Sequence, residues 1–198
     1  MAKTSGPRVR DRRAEIGRAL HRCIEKRGYA RTTLAHLAAE AGMAPSHVRY
    51  YFAGKEAVLE YYFEFLCRRT LEPIRAIVGA TPREWIDAFV SFVFDDTPAI
   101  RSLLRVVVEM KGLSVHNARM RRAALAFDRE MLDVLEKTFE QTELARGLSP
   151  HDAAEIAYAL VYGLLSRLPF DERSGLARSR ELFRGSLLRL AGLDPLQA

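Results

Sequence analysis

The sequence predicts an all-α protein: an N-terminal three-helix module containing a helix-turn-helix, followed by a larger C-terminal helical ligand-binding and dimerisation domain. Three observations predict this. Apolar residues recur at three- and four-residue steps along most of the chain, with no two-residue strand alternation. Glycines and Thr-Pro or Ser-Pro pairs punctuate these runs where helices stop and start. Charge is unevenly divided: residues 1–60 hold 12 Lys/Arg against 6 Asp/Glu, whereas 61–198 hold 19 of each. The whole surplus of +6 therefore lies in the first third, which fits a polyanion partner for that part.

Length and composition bound the rest. The 198 residues suffice for one sizeable core, or for a small module fused to a larger one. A hydrophobic fraction of 48% with 28% charged residues excludes disordered and fibrous classes. Cys23 and Cys67 make no scaffold and lack CxxC spacing, and their helical apolar settings predict buried thiols. The opening MAKTSGPRVRDRR lacks the apolar run of a signal peptide, and 156–166 is too short to span a bilayer. The expectation is a cytoplasmic protein with no membrane partner.

The elements follow in order. Ile16, Leu20, Cys23 and Ile24 define a first helix over 9–28, ended by Gly28. Thr32 or Thr33 caps a short helix with Leu34, Leu37, Ala38 and Ala41 on its apolar face, broken at Gly42. Pro45 opens a third helix, PSHVRYYF, in a first-turn position that tolerates a missing N–H. Neither short helix is stable alone in water, so both must pack on the first. A long helix spans 55–78, with Pro73 set to kink or divide it. Thr81, Pro82 and Glu84 form a capping signal for the next helix, which carries Trp85, Ile86, Phe89 and Val90. Thr97-Pro98 starts another, interrupted at Gly112. An amphipathic helix covers 117–145, a nearly all-apolar one 152–168, and a last one 173–191. The total is eight to ten helices.

The informative stretch is 33–59. Two short helices about a glycine turn make a helix-turn-helix. A major groove about 12 Å wide admits one helix, which the preceding helix must brace. Met43, Val48 and Phe52 are the inward anchors of the second short helix. Ser46, His47, Arg49, Tyr50 and Tyr51 then face outward, more bulk and charge than packing alone explains.

This stretch resembles the TetR family. The shared features are Thr33, Ala41-Gly42, Met43, the run Tyr50-Tyr51-Phe52, and Lys55-Glu56 before an apolar helix. The detailed resemblance covers residues 12–60. It implies a dimer that binds a palindromic double-stranded DNA operator and releases it when a small-molecule effector enters the C-terminal body. It implies that Thr33 and Lys55 meet phosphates and that Ser46 and His47 approach base edges. Tyr50 and Tyr51 face the backbone or groove, with Pro45 at the start of the reader. Two positions depart from the family pattern. Ala44 stands where a capping Ser is common, and Arg49 where Tyr is. Arginine either reads guanine bidentately or holds a phosphate. Lys3, Arg8, Arg10, Arg12 and Arg13 form a basic arm, either solvated or laid along DNA. The expected division is 1–54 for DNA binding and 55–198 for effector binding and dimerisation.

A ligand cavity needs apolar walls with a few polar groups. Trp85, Phe89, Leu104, Val108, Phe127, Met131, Tyr158 and Tyr162 are the candidate walls, with Glu109 and His116 as polar contacts. Arg101, Arg105 and Glu109 also fit an ion-paired outer face. No HExxH, GxxxxGK[ST] or GxSxG motif appears, and the five histidines are scattered, so neither enzyme activity nor a cofactor is expected. Homodimerisation is expected through the 152–168 and 173–191 helices, which would set two reader helices one operator turn apart, roughly 34–36 Å. The rival reading is a helical dimer that acts by protein contact with weak or sequence-blind DNA binding. A DNA-binding activator of the same fold is the third.

Overall fold

The computed structural model describes residues 7–77, 79, 81–95, 97–167 and 175–194, without the side chains of 7, 8, 98–101, 104, 105 and 108. Among the described residues the fold is all-α. Its helices are α1 (Pro7–Arg27), α2 (Leu34–Glu40), α3 (Pro45–Tyr51), α4 (Lys55–Arg75), α5 (Pro82–Val93), α6 (Pro98–Ser114), α7 (Ala118–Phe139), α8 (Pro150–Arg167) and α9 (Leu176–Leu190). None is long and apolar enough to cross a membrane. The chain divides into two compact units, one of residues 1–67 with 105–124, the other of 68–104 with 125–198.

In the first unit α1 packs on α2 and α3. Ile16, Leu20 and Cys23 on α1 are fully buried with Leu37 of α2 and Val48 of α3. That burial, not propensity, holds the two seven-residue helices. Gly28 ends α1 at φ +75°, a conformation that suits glycine. Polar clamps fix the packing. Arg22 Nε donates to Glu40 Oε1 at 2.7 Å and its Nη2 to the Glu40 carbonyl at 2.9 Å, while Lys26 Nζ donates to Oε2 at 2.8 Å. These bonds, from Lys26 first and then Arg22, hold the Glu40 carboxyl below its ordinary range. Arg22 thereby also satisfies the carbonyl end of α2. The Tyr62 hydroxyl and His21 Nδ1 share a 2.9 Å bond between α1 and α4, and burial holds the imidazole below its ordinary pKa. Further on, Asn117 caps α7 through its Oδ1, and its Nδ2 donates to Glu60.

In the second unit α5 and α8 each pack on α9. The core is built on Phe89, Phe94, Phe139 and Phe183, with Leu71 and Ile74 from the end of α4. Ala153, Ala154 and Ala157 let α8 approach this core closely. Arg184 grips Asp87 through two N–H bonds, at 2.6 and 3.2 Å, joining α9 to α5.

Four sequence expectations are corrected. Helix α1 begins at Pro7, so Arg8 joins the helix that already takes in Arg10, Arg12 and Arg13, while Lys3 lies outside the described residues. Gly112 does not interrupt α6, which runs to Ser114. A lone exposed glycine costs a helix only about 1 kcal/mol against alanine, too little to stop it. Helix α7 ends at Phe139, six residues early, because residues 143–145 turn to meet the end of α9. The Ala145 N–H donates to the Leu190 carbonyl there, at 3.0 Å. Cys67 is half-buried, since it lies on the flank of α4, and no disulfide joins it to Cys23. Pro73 lies in the last turn of α4, two residues from its end. It cannot donate to the Arg69 carbonyl four residues earlier, and the helix ends two residues beyond it.

Candidate nucleic-acid interface and a cleft in the helical body

Helix α3 is presented by two buried residues. Val48 is fully buried and Phe52 nearly so, while Met43 is half-buried. Arg13 of α1 locks this seat. Its guanidinium carbon lies 4.4 Å above the Phe52 ring centroid and 4.8 Å from that of Tyr61. Its Nη1 also donates to the Tyr51 carbonyl at 3.4 Å. Arg13, read from sequence as part of an arm, thus braces α3 from within the first unit. Only the cation's distance in sequence from Phe52 hid that role.

With Val48 and Phe52 inward, Pro45, Ser46, His47, Arg49 and Tyr50 are exposed, and Tyr51 is half-buried. Tyr50 is 80% exposed, against the edge of Tyr51 at 5.0 Å. No acidic residue occurs in α3. Ala44 occupies the N-cap position and supplies no side-chain bond, as its identity requires. By contrast, α2 is well capped. The His36 N–H donates to Thr33 Oγ1 at 3.2 Å, and the Thr33 N–H to His36 Nδ1 at 3.3 Å. Thr33 remains exposed. Thr32, the other candidate cap, is buried and donates to the Gly28 carbonyl at 2.9 Å.

Lys55 opens α4, a helix end that disfavours a cation. Its ammonium compensates by reaching the preceding loop. It donates to the Thr32 carbonyl at 3.0 Å and the Tyr29 carbonyl at 3.4 Å, and lies 4.5 Å above the Tyr29 ring. Burial, then the Glu56 and Glu60 carboxylates, push the Tyr29 phenol well above its ordinary pKa. The Tyr29 N–H in turn donates to Glu109 of α6 at 2.5 Å. Lys55→Ala should therefore lower stability by about 1–3 kcal/mol, the usual cost of losing bonds from a charged donor. It should also weaken binding to all duplexes alike. Urea denaturation beside anisotropy titrations checks both, and an unchanged denaturation midpoint refutes the loop-holding role.

Of the residues expected to line a cavity, the structure gathers few. Phe89 and Met131 are core residues. Tyr158 donates to Asp128, and Phe127 is half-buried against the same core. His116 and Tyr162 are exposed, and Glu109 is engaged by Tyr29. The side chains of Leu104 and Val108, like those of Arg101 and Arg105, lie outside the described residues. Trp85 does line a cleft, of about 370 Å³. Ile74, Ile77 and Val134 share its apolar wall. Arg75, Thr81, Lys137, Thr138 and Gln141 make the polar side. Gly79 and Pro82 complete the rim. A Cβ at Gly79 would fall 2.6 Å from the Trp85 backbone nitrogen, so only glycine lets the chain pass there. Sequence reading missed the polar wall because Lys137 sits four residues after Asp133, the pattern of a solvated face. Among the described residues no group of three His, Cys, Asp or Glu is placed to hold a metal ion.

This arrangement has clear relatives. Residues 82–192, over half the chain, match the family model described as BetI-type transcriptional repressor, C-terminal. Residues 16–62 match bacterial regulatory proteins, tetR family. The HTH-type transcriptional regulator BetI of Stenotrophomonas maltophilia (strain R551-3) is 29% identical over 149 residues, covering 74% of this chain and 73% of that protein. The protein of the same name from Burkholderia thailandensis is 28% identical over 176 residues, covering 83% and 88%. In fold, a TetR transcription regulator from Haloarcula marismortui superposes with a TM-score of 0.78 over 92% of this chain and 97% of that one, at 17% identity. Salmonella enterica GusR does so at 0.71, over 96% and 100%, with 21% identity.

Proposed function

This chain belongs to the TetR family of DNA-binding transcriptional regulators, and from that premise we propose that it is a dimeric repressor released from a palindromic operator by a small-molecule effector. The observation that carries the reading is the outward face of α3. Ser46, His47, Arg49 and Tyr50 are exposed on a helix whose Val48 and Phe52 are buried. Residues 1–54 read DNA, and 55–198 bind effector and dimerise. Thr33, Lys55 and Tyr51 border the reader and contact the backbone. Lys55 has three N–H donors and can spare one for a phosphate. Repression is supported by the matched family, whose description names a transcriptional repressor.

Dimerisation through α8 and α9 is supported by a second apolar face. Ile156 is 45% exposed, Tyr162 46% and Leu182 43%, on helices whose other sides are buried in the core. Exposed Ala159 and Gly163 lie on the same side of α8 as Ile156, where a second helix can approach closely. A two-fold pairing fixes the separation of two reader helices. Effector bound in the body shifts that separation through α4, and DNA affinity falls. The coupling is reciprocal, so bound DNA weakens the effector by the same factor.

A selection on random duplexes tests this reading. The expected result is a palindromic consensus bound at nanomolar affinity. Arg49→Ala and His47→Ala should each relax preference at one position per half-site, at about 1–3 kcal/mol. Salt-sensitive binding with no consensus would leave a sequence-blind binder and end the proposal.

A further inference from the structure

We propose that the cleft in the second unit takes a small organic anion, a carboxylate carried on a flat apolar body. The assignment rests on reading residues 55–198 as the effector-binding part. Trp85 forms a plate on the apolar wall. Phe89 backs it, with ring centroids 5.0 Å apart and planes 20° from parallel. That plate suits an aromatic ring better than a flexible chain.

The polar wall is rich in donors and has no carboxylate. Arg75 and Lys137 are its charged members. Each is paired outside the cleft, Arg75 with Glu130 and Lys137 with Asp133. Both pairs are exposed, so solvent screens them and a competing partner displaces them readily. A guanidinium has five N–H donors and an ammonium three, so both keep donors for a ligand. Thr81 adds another. Its Oγ1 accepts the Glu84 N–H at 3.2 Å, which leaves its own O–H to donate. Thr138 differs, since its hydroxyl already donates to the Val134 carbonyl at 3.1 Å. The N-terminus of α5 at Thr81-Pro82 adds nothing further, because the Glu84 carboxylate already accepts the Thr81 N–H there at 3.1 Å. A cationic ligand would meet two like charges and no counter-ion on this wall. A neutral one would leave both cations to the carboxylates they already pair with.

The test uses the full-length protein and three probes with one apolar body: 3-phenylpropionate, 3-phenylpropanol and 3-phenylpropylamine. The acid should raise the unfolding midpoint in a dose-dependent way, and the amine should not. The alcohol should bind about tenfold more weakly than the acid, or worse. Lys137→Gln and Arg75→Gln should each weaken the acid about tenfold by calorimetry. Both side chains are exposed, so the variants should fold. Binding of amine or alcohol as tight as the acid overturns the assignment. So do an acid affinity indifferent to both substitutions and a failure of the acid to bind. DNA release, followed by anisotropy, separates this from the broader reading. Acid that binds at the cleft but leaves DNA bound preserves the anion site and removes its effector role. Amine that releases DNA preserves the effector reading and removes the anion site.

Discussion

Phe52→Ala should cost the protein about 3–5 kcal/mol of stability, the usual range for truncating a buried phenylalanine. Phe52 is only 3% exposed, and its ring, the Arg13 guanidinium and the Tyr61 ring all touch one another, with the two ring centroids 5.4 Å apart. Removing it leaves a cavity and exposes Arg13's apolar stem. It also loses a cation–π contact that contributes about 0.5–2 kcal/mol. Specific DNA binding should fall with it, since Phe52 seats α3. Urea denaturation gives the stability change, and duplex titration at low temperature gives the affinity. Tyr50→Ala is the control. At 80% exposure it should change stability by no more than about 0.5 kcal/mol while still altering DNA binding. A loss below about 1 kcal/mol in Phe52→Ala would mean that α3 is held some other way.

Gly192→Ala should be the other severe substitution. A Cβ there would lie 1.8 Å from the Glu143 carbonyl oxygen and 3.0 Å from its carbonyl carbon. Backbone atoms cannot swing aside as a side-chain tip can. The residue also has φ +67°, a conformation that costs L-residues about 1–2 kcal/mol. Gly42 has φ +65° but open space around it, so Gly42→Ala measures the backbone cost alone. The expected order is a loss of about 1–2 kcal/mol for Gly42→Ala and more than about 3 for Gly192→Ala. Equal losses would show that the chain end simply detaches from the 143–145 turn.

Much of this protein was legible before its structure. Capping and periodicity are local, so Thr81, Pro82 and Glu84 announced α5, and the capping box is there. Gly28 and Gly42 announced turns, and both have positive φ. Ala44 announced an uncapped α3 by its lack of a side-chain oxygen. The inward anchors Val48 and Phe52 followed from helical spacing on a two-turn segment. The helix-turn-helix was readable for the same reason: its elements are adjacent in the chain.

What resisted reading was long-range. Arg13 lies 38 residues before the carbonyl it reaches at Tyr51. Glu109 lies 80 residues beyond the Tyr29 N–H it accepts, so it read as a polar contact of a cavity or part of an ion-paired outer face, and its hold on the turn was hidden. The end of α7 was misjudged because its pattern continues to 145, while contact with α9 stops it at Phe139. The cleft's polar wall comes from α4, α5 and α7, and only their packing brings Arg75, Thr81 and Lys137 together. Sequence by itself determined where helices begin, which faces are apolar and which module carries the positive charge. Each of these depends on neighbours within a turn or two. Tertiary structure alone decided which cations face solvent, which grip a distant carbonyl and which border a cleft, because those choices depend on groups that chain order does not place side by side.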